Sequence, residues 1–511
     1  MQILNNENKL GQCRKLLILF SLMLSTNSLN LVLASVSTAN EPATISSEKS
    51  ESFRKNPPNL PPPRPLQLPK VINFKLSNGL DVYMVENNKV PFITALLGLK
   101  TGSVSDPVEK LGLADLTSQM ITEGAGKLNS KELASEIDFI GGSITSGANS
   151  DFTLVKAQGL SKYTNKLFSL MASVVIDPTF PEDELTLKKT NLIQELELKR
   201  SEPDFLANER FNKVIYNNHP YAVVSPKPDT IKKITKLDLE NFHKKNYLPN
   251  NAMLVVVGDF NSDKLKEIIK DDFEKSWAKL PHIAKHDLAV NAKHHKQIYL
   301  VDRPGSVQSN IWLGNIGIKR SDKDYFPFLV ANEILGGSSR SRLFLNIREQ
   351  KGYTYGAYSH LNAHKMAGDF VSYAEVRNNV TAPTLEEFLY ELDKLRNVQV
   401  ADKELNDAKN HLAGSFQLAV ESQMGLAGKL IDAKLNDLPV EYLTNYANNI
   451  MAVTPSQIQD VIRKYVNLND LSIIVVGDKS QILNELKPFA PVVIYDSNGN
   501  LEASSPSVHK K

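Results

Sequence analysis

One cysteine, Cys13, is all the thiol chemistry these 511 residues contain. It precedes the apolar run Leu16 to Leu24, whereas a lipid-modified cysteine would follow such a run, so a lipoprotein anchor is excluded. Once a leading segment is cleaved, no disulfide, zinc–thiolate site or cysteine nucleophile is left. Charge of one sign is also lacking. The 59 Lys and Arg stand against 57 Asp and Glu, a formal charge of +2, which gives no footprint for nucleic acid or a strongly acidic partner. The one apolar block near the start is interrupted by Ser25, Thr26, Asn27, Ser28 and Asn30, so a stable span, which needs about 20 apolar residues, is the weaker reading. With Lys9, Arg14 and Lys15 before it and small residues near Ala34 after it, the block reads as a secretory signal peptide over 1–34. A signal-anchored form is the alternative.

The rest of the chain is organised by duplication. Residues 35–70 end in the proline-rich PPNLPPPRPLQLP and read as an extended, disordered arm without a core. Folded sequence begins at Val71, where VINFKLSNGLDVYMVEN alternates on both sides of a tight turn at Asn78-Gly79. Ile234 to Asp259 then aligns without gaps onto Val453 to Asp478, with Thr235 matching Thr454 and Gly258-Asp259 matching Gly477-Asp478, an offset of 219. A period of this length means duplicated domains. The expected fold is α+β: two homologous α/β-sandwich-like domains, 71–275 and 297–495, joined by a linker over 276–296. A disordered tail follows over 496–511.

The stretch Gly336 to Ser359, GGSSRSRLFLNIREQKGYTYGAYS, combines two patterns. Ser338 or Ser339 is placed to cap a helix that carries Leu343 and Ile347 on one face and ends at Gly352. Tyr353 to Tyr358 then alternates like a strand. Arg348 falls in the last helical turn and Tyr355 on the strand, so a guanidinium and a phenol face a common space as donors to a carbonyl or oxyanion. Pattern alone favours the ordinary alternative of a solvated Arg and a sheet Tyr.

The run GGS..SRLF...R...G..Y resembles the C-terminal homologous domain of the insulinase/pitrilysin zinc metallopeptidases, near their bacterial, processing-peptidase-like members. The resemblance implies that Arg348 and Tyr355 bind substrate and stabilise the transition state. It also implies a His-x-x-Glu-His helix in the first copy, two imidazoles on one face for zinc and a Glu as base. This chain departs there. In GLADLTSQM, Asp115 and Gln119 stand at the histidine positions and Ser118 at that of the base. Glu195, 76 residues after Gln119, stands at the distal ligand position, and without its co-ligands the reading as an ordinary helix residue is favoured. Two carboxylates and an amide oxygen suit calcium or magnesium better than zinc. The pairs His282/His286 and His360/His364 and the doublet His294-His295 offer no replacement site.

The expected role is thus a zinc-less subunit of a heterodimeric peptidase, inactive alone and binding no cofactor. It would lend Arg348 and Tyr355 to peptide hydrolysis at the zinc of an insulinase-family partner. The resemblance and the signal together imply the bacterial periplasm. A non-catalytic peptide-binding or scaffold protein and an autonomous peptidase with a divergent ion at Asp115, Gln119 and Glu195 are the alternatives.

Overall fold

The computed structural model describes residues 68–279, 288–290 and 295–504. The signal segment, most of the proline-rich arm, His282, His286, His294 and the last seven residues lie outside them. In the first half, Asn78-Gly79 reverses β1 (Val71–Lys75) into β2 (Asp81–Glu86), with Lys75 opposite Asp81. With β3 (Phe92–Leu99), β4 (Ser143–Ala148), β5 (Thr153–Leu160) and β6 (Ala252–Gly258) these form one sheet in the order β1-β2-β6-β3-β5-β4. The strand AMLVVVG is buried along its whole length because it lies inside this sheet, parallel to β2 and antiparallel to β3.

The second half builds a sheet from β7 (Gln297–Asp302), β8 (Gln308–Ile316), β9 (Ala357–Ala363), β10 (Gly368–Arg377), β11 (Ser472–Gly477), β12 (Val492–Tyr495) and β13 (Leu501–Ser504). Its order is β9-β10-β8-β11-β7-β12-β13. Five strands repeat across the halves, β2-β6-β3-β5-β4 as β7-β11-β8-β10-β9. The helices include α1 (Leu113–Met120), α2 (Glu182–Lys199), α3 (Pro203–Tyr216), α4 (Lys236–Asn246), α5 (Asp402–Glu421), α6 (Gln423–Leu435) and α7 (Pro455–Tyr465). The matching residues Thr235 and Thr454 both close capping boxes, at the starts of α4 and α7, so the repeat seen in sequence is a repeat of local hydrogen bonding.

The halves exchange a helix. On α3, Leu206, Phe211 and Ile215 leave their own half and pack on Val301, Val371, Ile474 and Val476 of the second sheet. On α6, Leu426, Leu430 and Ile431 pack with Leu96, Met253, Val255 and Val257 of the first. Each sheet receives its helix over a glycine. A Cβ at Gly98 would lie 3.0 Å from Ile431 and Leu435, and one at Gly314 would lie 3.0 Å from the Phe211 ring. These glycines are equivalent, since Gly98 pairs with Met253 and Gly314 with Ser472, and 472 − 253 = 219 is the repeat offset. Polar contacts reinforce the junction. Tyr216 Oη donates to Asp369 at 2.9 Å, and Lys100 and Lys365 both reach Asp437. Tyr221 of the His219-Pro220-Tyr221 motif donates to Asp151, whose other oxygen accepts the Lys365 N–H at 3.1 Å.

Two boundary expectations differ from the structure. The region expected to be linker from 276 begins with Trp277 buried, its indole donating to the Tyr247 carbonyl at 2.9 Å. The tail expected to be disordered from 496 instead turns back. Asp496 accepts the N–H groups of Asn498 and Asn500, and β13 pairs with β12. An Asx-type turn gave the last strand its direction, a local signal that polar composition had hidden. Among the described residues, no helix is long and apolar enough to cross a membrane.

Candidate functional site

The first group of site residues is built on α1 and α2, which pack together. Asp106 orients α1 by accepting the N–H groups of Gly112 and Ala114, both at 2.8 Å, at the positive end of the helix. Burial pushes the Asp106 carboxyl up to about 7 against the opposing pull of those amides. A carboxyl raised in the folded state contributes stability below its ordinary value of 3.8, and this contribution is lost as pH rises to about 7. In thermal melts across that interval, Asp106→Asn is expected to lack this slope, so that its stability relative to the parent chain improves as pH rises. A constant difference would refute the assignment.

Further along α1, the residues at the metal-motif positions bond to one another. Gln119 turns its NH₂ to the Asp115 carboxylate at 3.0 Å, and the buried Ser118 hydroxyl donates to the Asp115 carbonyl at 2.7 Å. Glu195 on α2 pairs with Lys199, one turn on, at 2.6 Å. Burial raises the Asp115 carboxyl; the Gln119 and Ala148 donors oppose this, the Glu195 charge adds to it, and Lys199 lowers it. Fold and sequence thus bring Asp115, Gln119 and Glu195 into one neighbourhood. The donor set does not fit zinc: there is no imidazole or thiolate, the amide presents hydrogens, and an ammonium holds the distal carboxylate. Among the described residues, no cluster of three or more His, Cys, Asp or Glu is placed to hold a metal. In the second half, His360 contacts the Tyr373 hydroxyl at 3.0 Å and His364 lies 3.9 Å from Asp369. Lys199 was missed in the sequence, although its i, i+4 spacing from Glu195 was a signal for it.

The second group lies at the far end of the chain. The helical segment starts after Ser341 rather than at Ser338 or Ser339, which occupy the preceding turn; the Leu345 N–H bonds the Ser341 carbonyl at 3.0 Å. Over Phe344–Gln350 it widens to a π-helix, a form frequent at functional sites. Leu343 and Ile347 are buried as their spacing predicts, and Gly352 ends the helix at φ +65°. Arg348 sits 4.8 Å over the Phe344 ring, pairs with Glu349, and is 42% exposed. Tyr355 does not lie on the strand. The ladder begins only at Ala357, opposite Ala374, because the Thr354 hydroxyl, bonded to the Gly356 and Glu375 carbonyls, holds 352–356 as a loop. Tyr355 is 94% exposed at the rim of a cleft of about 730 Å³ with Val307, Tyr353, Glu375 and Arg377. Among the described residues no hydrogen bond or ring contact joins Arg348 to Tyr355. Arg348 is partly and Tyr355 almost fully exposed.

Comparison with known proteins gives the following. Residues 82–228 match the family described as "Insulinase (Peptidase family M16)" and residues 233–412 match "Peptidase M16 inactive domain". The "Uncharacterized zinc protease YmxG" of Bacillus subtilis is 24% identical over 68% of this chain and 84% of its own length. The "Non-peptidase homolog YmxG" of Helicobacter pylori is 23% identical over 78% of this chain and 91% of its own. A solved structure of a peptidase M16 inactive domain from Pseudomonas fluorescens superposes with a TM-score of 0.75 at 29% identity, covering 80% of this chain and 98% of that one. A protease from Helicobacter pylori does so with a TM-score of 0.75 at 24% identity, over 80% and 100%.

Proposed function

Because the chain belongs to the insulinase (M16) family, we propose that it is the metal-free half of a two-chain peptidase. The observation that carries this reading is a contrast within one molecule. At α1 and α2 the side chains at the metal-motif positions are taken up within their own helices, Gln119 by Asp115 and Glu195 by Lys199, whereas Tyr355 stands 94% exposed on a loop fixed by Gly352 and Thr354. A tyrosine this exposed, with no hydrogen bond or ring contact among the described residues, has both ring and hydroxyl free to meet a docking chain. Arg348 binds and polarises the peptide carbonyl, and the Tyr355 phenol donates to the oxygen that gains charge. Activation of water falls to the partner, an insulinase-family chain with His-x-x-Glu-His. The basic and apolar N-terminal segment supports export, so the pair works in a bacterial periplasm.

The test is reconstitution. The purified chain should carry no stoichiometric zinc by elemental analysis and leave an unfolded peptide uncut. Mixed with a His-x-x-Glu-His-bearing family partner, it should raise peptide cleavage above that of the partner alone. Hydrolysis by this chain unaided, with its own metal, would overturn the reading. Binding without any gain in turnover would instead favour a scaffold, the reading suggested by the name of the Helicobacter relative.

A further inference from the structure

A cavity of about 450 Å³ lies at the seam of the two halves. Its floor is apolar, because Leu206 of α3, Ala222 and Val301 of β7 belong to one buried cluster. Val108 and Val223, 78% and 37% exposed, carry the apolar lining outward. The C-terminal turn closes one wall. Arg200 donates to the Ser497 carbonyl at 3.4 Å and Arg210 to the Gly499 carbonyl at 2.9 Å, so the cavity exists only once the tail has folded back.

The charges around this space do not cancel. Arg200 and Glu209 satisfy each other through two hydrogen bonds, and Asp496 is taken up by the N–H groups of Asn498 and Asn500. Arg210, Lys213 and Lys227 also line the cavity, and among the described residues none of the three forms an ion pair. Arg210 instead lies 3.6 Å over the Tyr495 ring, and Lys213 reaches the Asn217 carbonyl at 3.3 Å. Several neutral polar groups of the lining are already bonded: the Thr230 hydroxyl to the Leu111 and Lys227 carbonyls, and the Ser497 and Gly499 carbonyls to the two arginines. What is left is positive charge without an anion beside an apolar floor, a pairing that suits a ligand with one charged end and a hydrocarbon body. At roughly 30 Å³ for a water-sized group, the volume holds on the order of 15 heavy atoms.

We propose that this cavity binds a medium-chain fatty acid, its carboxylate among Arg210, Lys213 and Lys227 and its chain over Leu206, Ala222 and Val301. A peptide segment fits less well, since it brings an amide at every residue and the lining carbonyls and hydroxyl that could meet them are already bonded. The inference uses neither Arg348 and Tyr355 nor a partner chain.

The experiment is calorimetric titration of the full chain with decanoate below its micelle-forming concentration. Acetate supplies the head alone and decanol the chain alone. Decanoate is expected to bind saturably, one molecule per chain, and more tightly than either control. Lys213→Glu combined with Lys227→Glu should weaken decanoate at least ~10-fold while leaving decanol unchanged, because two exposed charges near the carboxylate are reversed. Val224→Trp, which fills the cavity with the charges intact, should remove binding of both. Circular dichroism verifies the fold of each variant, and the lysine pair decides the matter if the tryptophan is not accommodated. Absence of saturable decanoate binding, binding no tighter than that of decanol, or parent-like affinity in the charge-reversed chain would overturn the proposal. Tighter binding of an acetylated tripeptide ending in leucine would overturn it too, by giving the site to a peptide terminus. Failure of peptidase reconstitution would leave it unaffected, so the two readings fail separately.

Discussion

Tyr355→Phe is expected to lower the turnover of the reconstituted pair by ~100–1000-fold, the usual consequence of removing one oxyanion donor. The phenol is 94% exposed and makes no hydrogen bond or ring contact among the described residues, so the loss should come without change in the melting temperature or in assembly with the partner. The kinetic form of the loss matters. Loss of a donor used only when charge develops lowers kcat and kcat/KM equally and leaves KM alone. Arg348→Ala should differ, raising KM as well, because a guanidinium on the ground-state carbonyl binds substrate before reaction. Arg348 also stacks on Phe344 and pairs with Glu349, so its removal should cost a small amount of stability, which a melt will separate from catalysis. Unchanged turnover for both variants in an active complex would remove this chain from the chemistry.

The second large effect lies in the helix exchange. Phe211→Ala should destabilise the chain by ~3–5 kcal/mol, the range for truncating a buried aromatic, since the ring is 1% exposed and fills the space over Gly314. Its ring centroid also lies 6.0 Å from that of Trp312 on the second sheet, a contact between halves rather than within one. Leu430→Ala on the reciprocal helix should cost ~2–5 kcal/mol for the same reason. Each helix belongs to one half by sequence and to the other by packing, so urea unfolding should remain one transition, shifted whole. Two separable transitions, with Phe211→Ala moving only one, would show that the exchanged helices are not what makes the halves a unit.

Much of this was open to reading in sequence order, and the departures share a cause. Asn78-Gly79, the two threonine caps and the uniformly apolar AMLVVVG specify turns, helix starts and a buried strand through contacts a few residues long. The Asp115, Ser118 and Gln119 replacements were equally plain, because a helix puts i and i+4 on one face whatever lies around it. Tyr355 was misplaced by alternation. A strand pattern ran through a loop that Thr354 holds by bonding to Glu375, 21 residues away. Lys199 was legible by spacing, yet its effect on Asp115 depends on another helix.

By itself, then, the chain's order of residues determined the duplication, the sheet-and-helix content of each copy, the lack of imidazole at positions 115 and 119, and the presence of Arg348 and Tyr355 near the start of the second copy's sheet edge strand. Only tertiary structure decided that α3 and α6 change places between copies, that Tyr355 stands exposed on a loop, and that the charges of Glu195 and Lys199 on α2 act on Asp115 of α1. The first set rests on periodicity and short-range hydrogen bonds, which a linear text preserves. The second rests on which surfaces meet after folding, and residues such as Gly98 and Ile431, or Phe211 and Gly314, carry no mark of each other until the backbone brings them into contact.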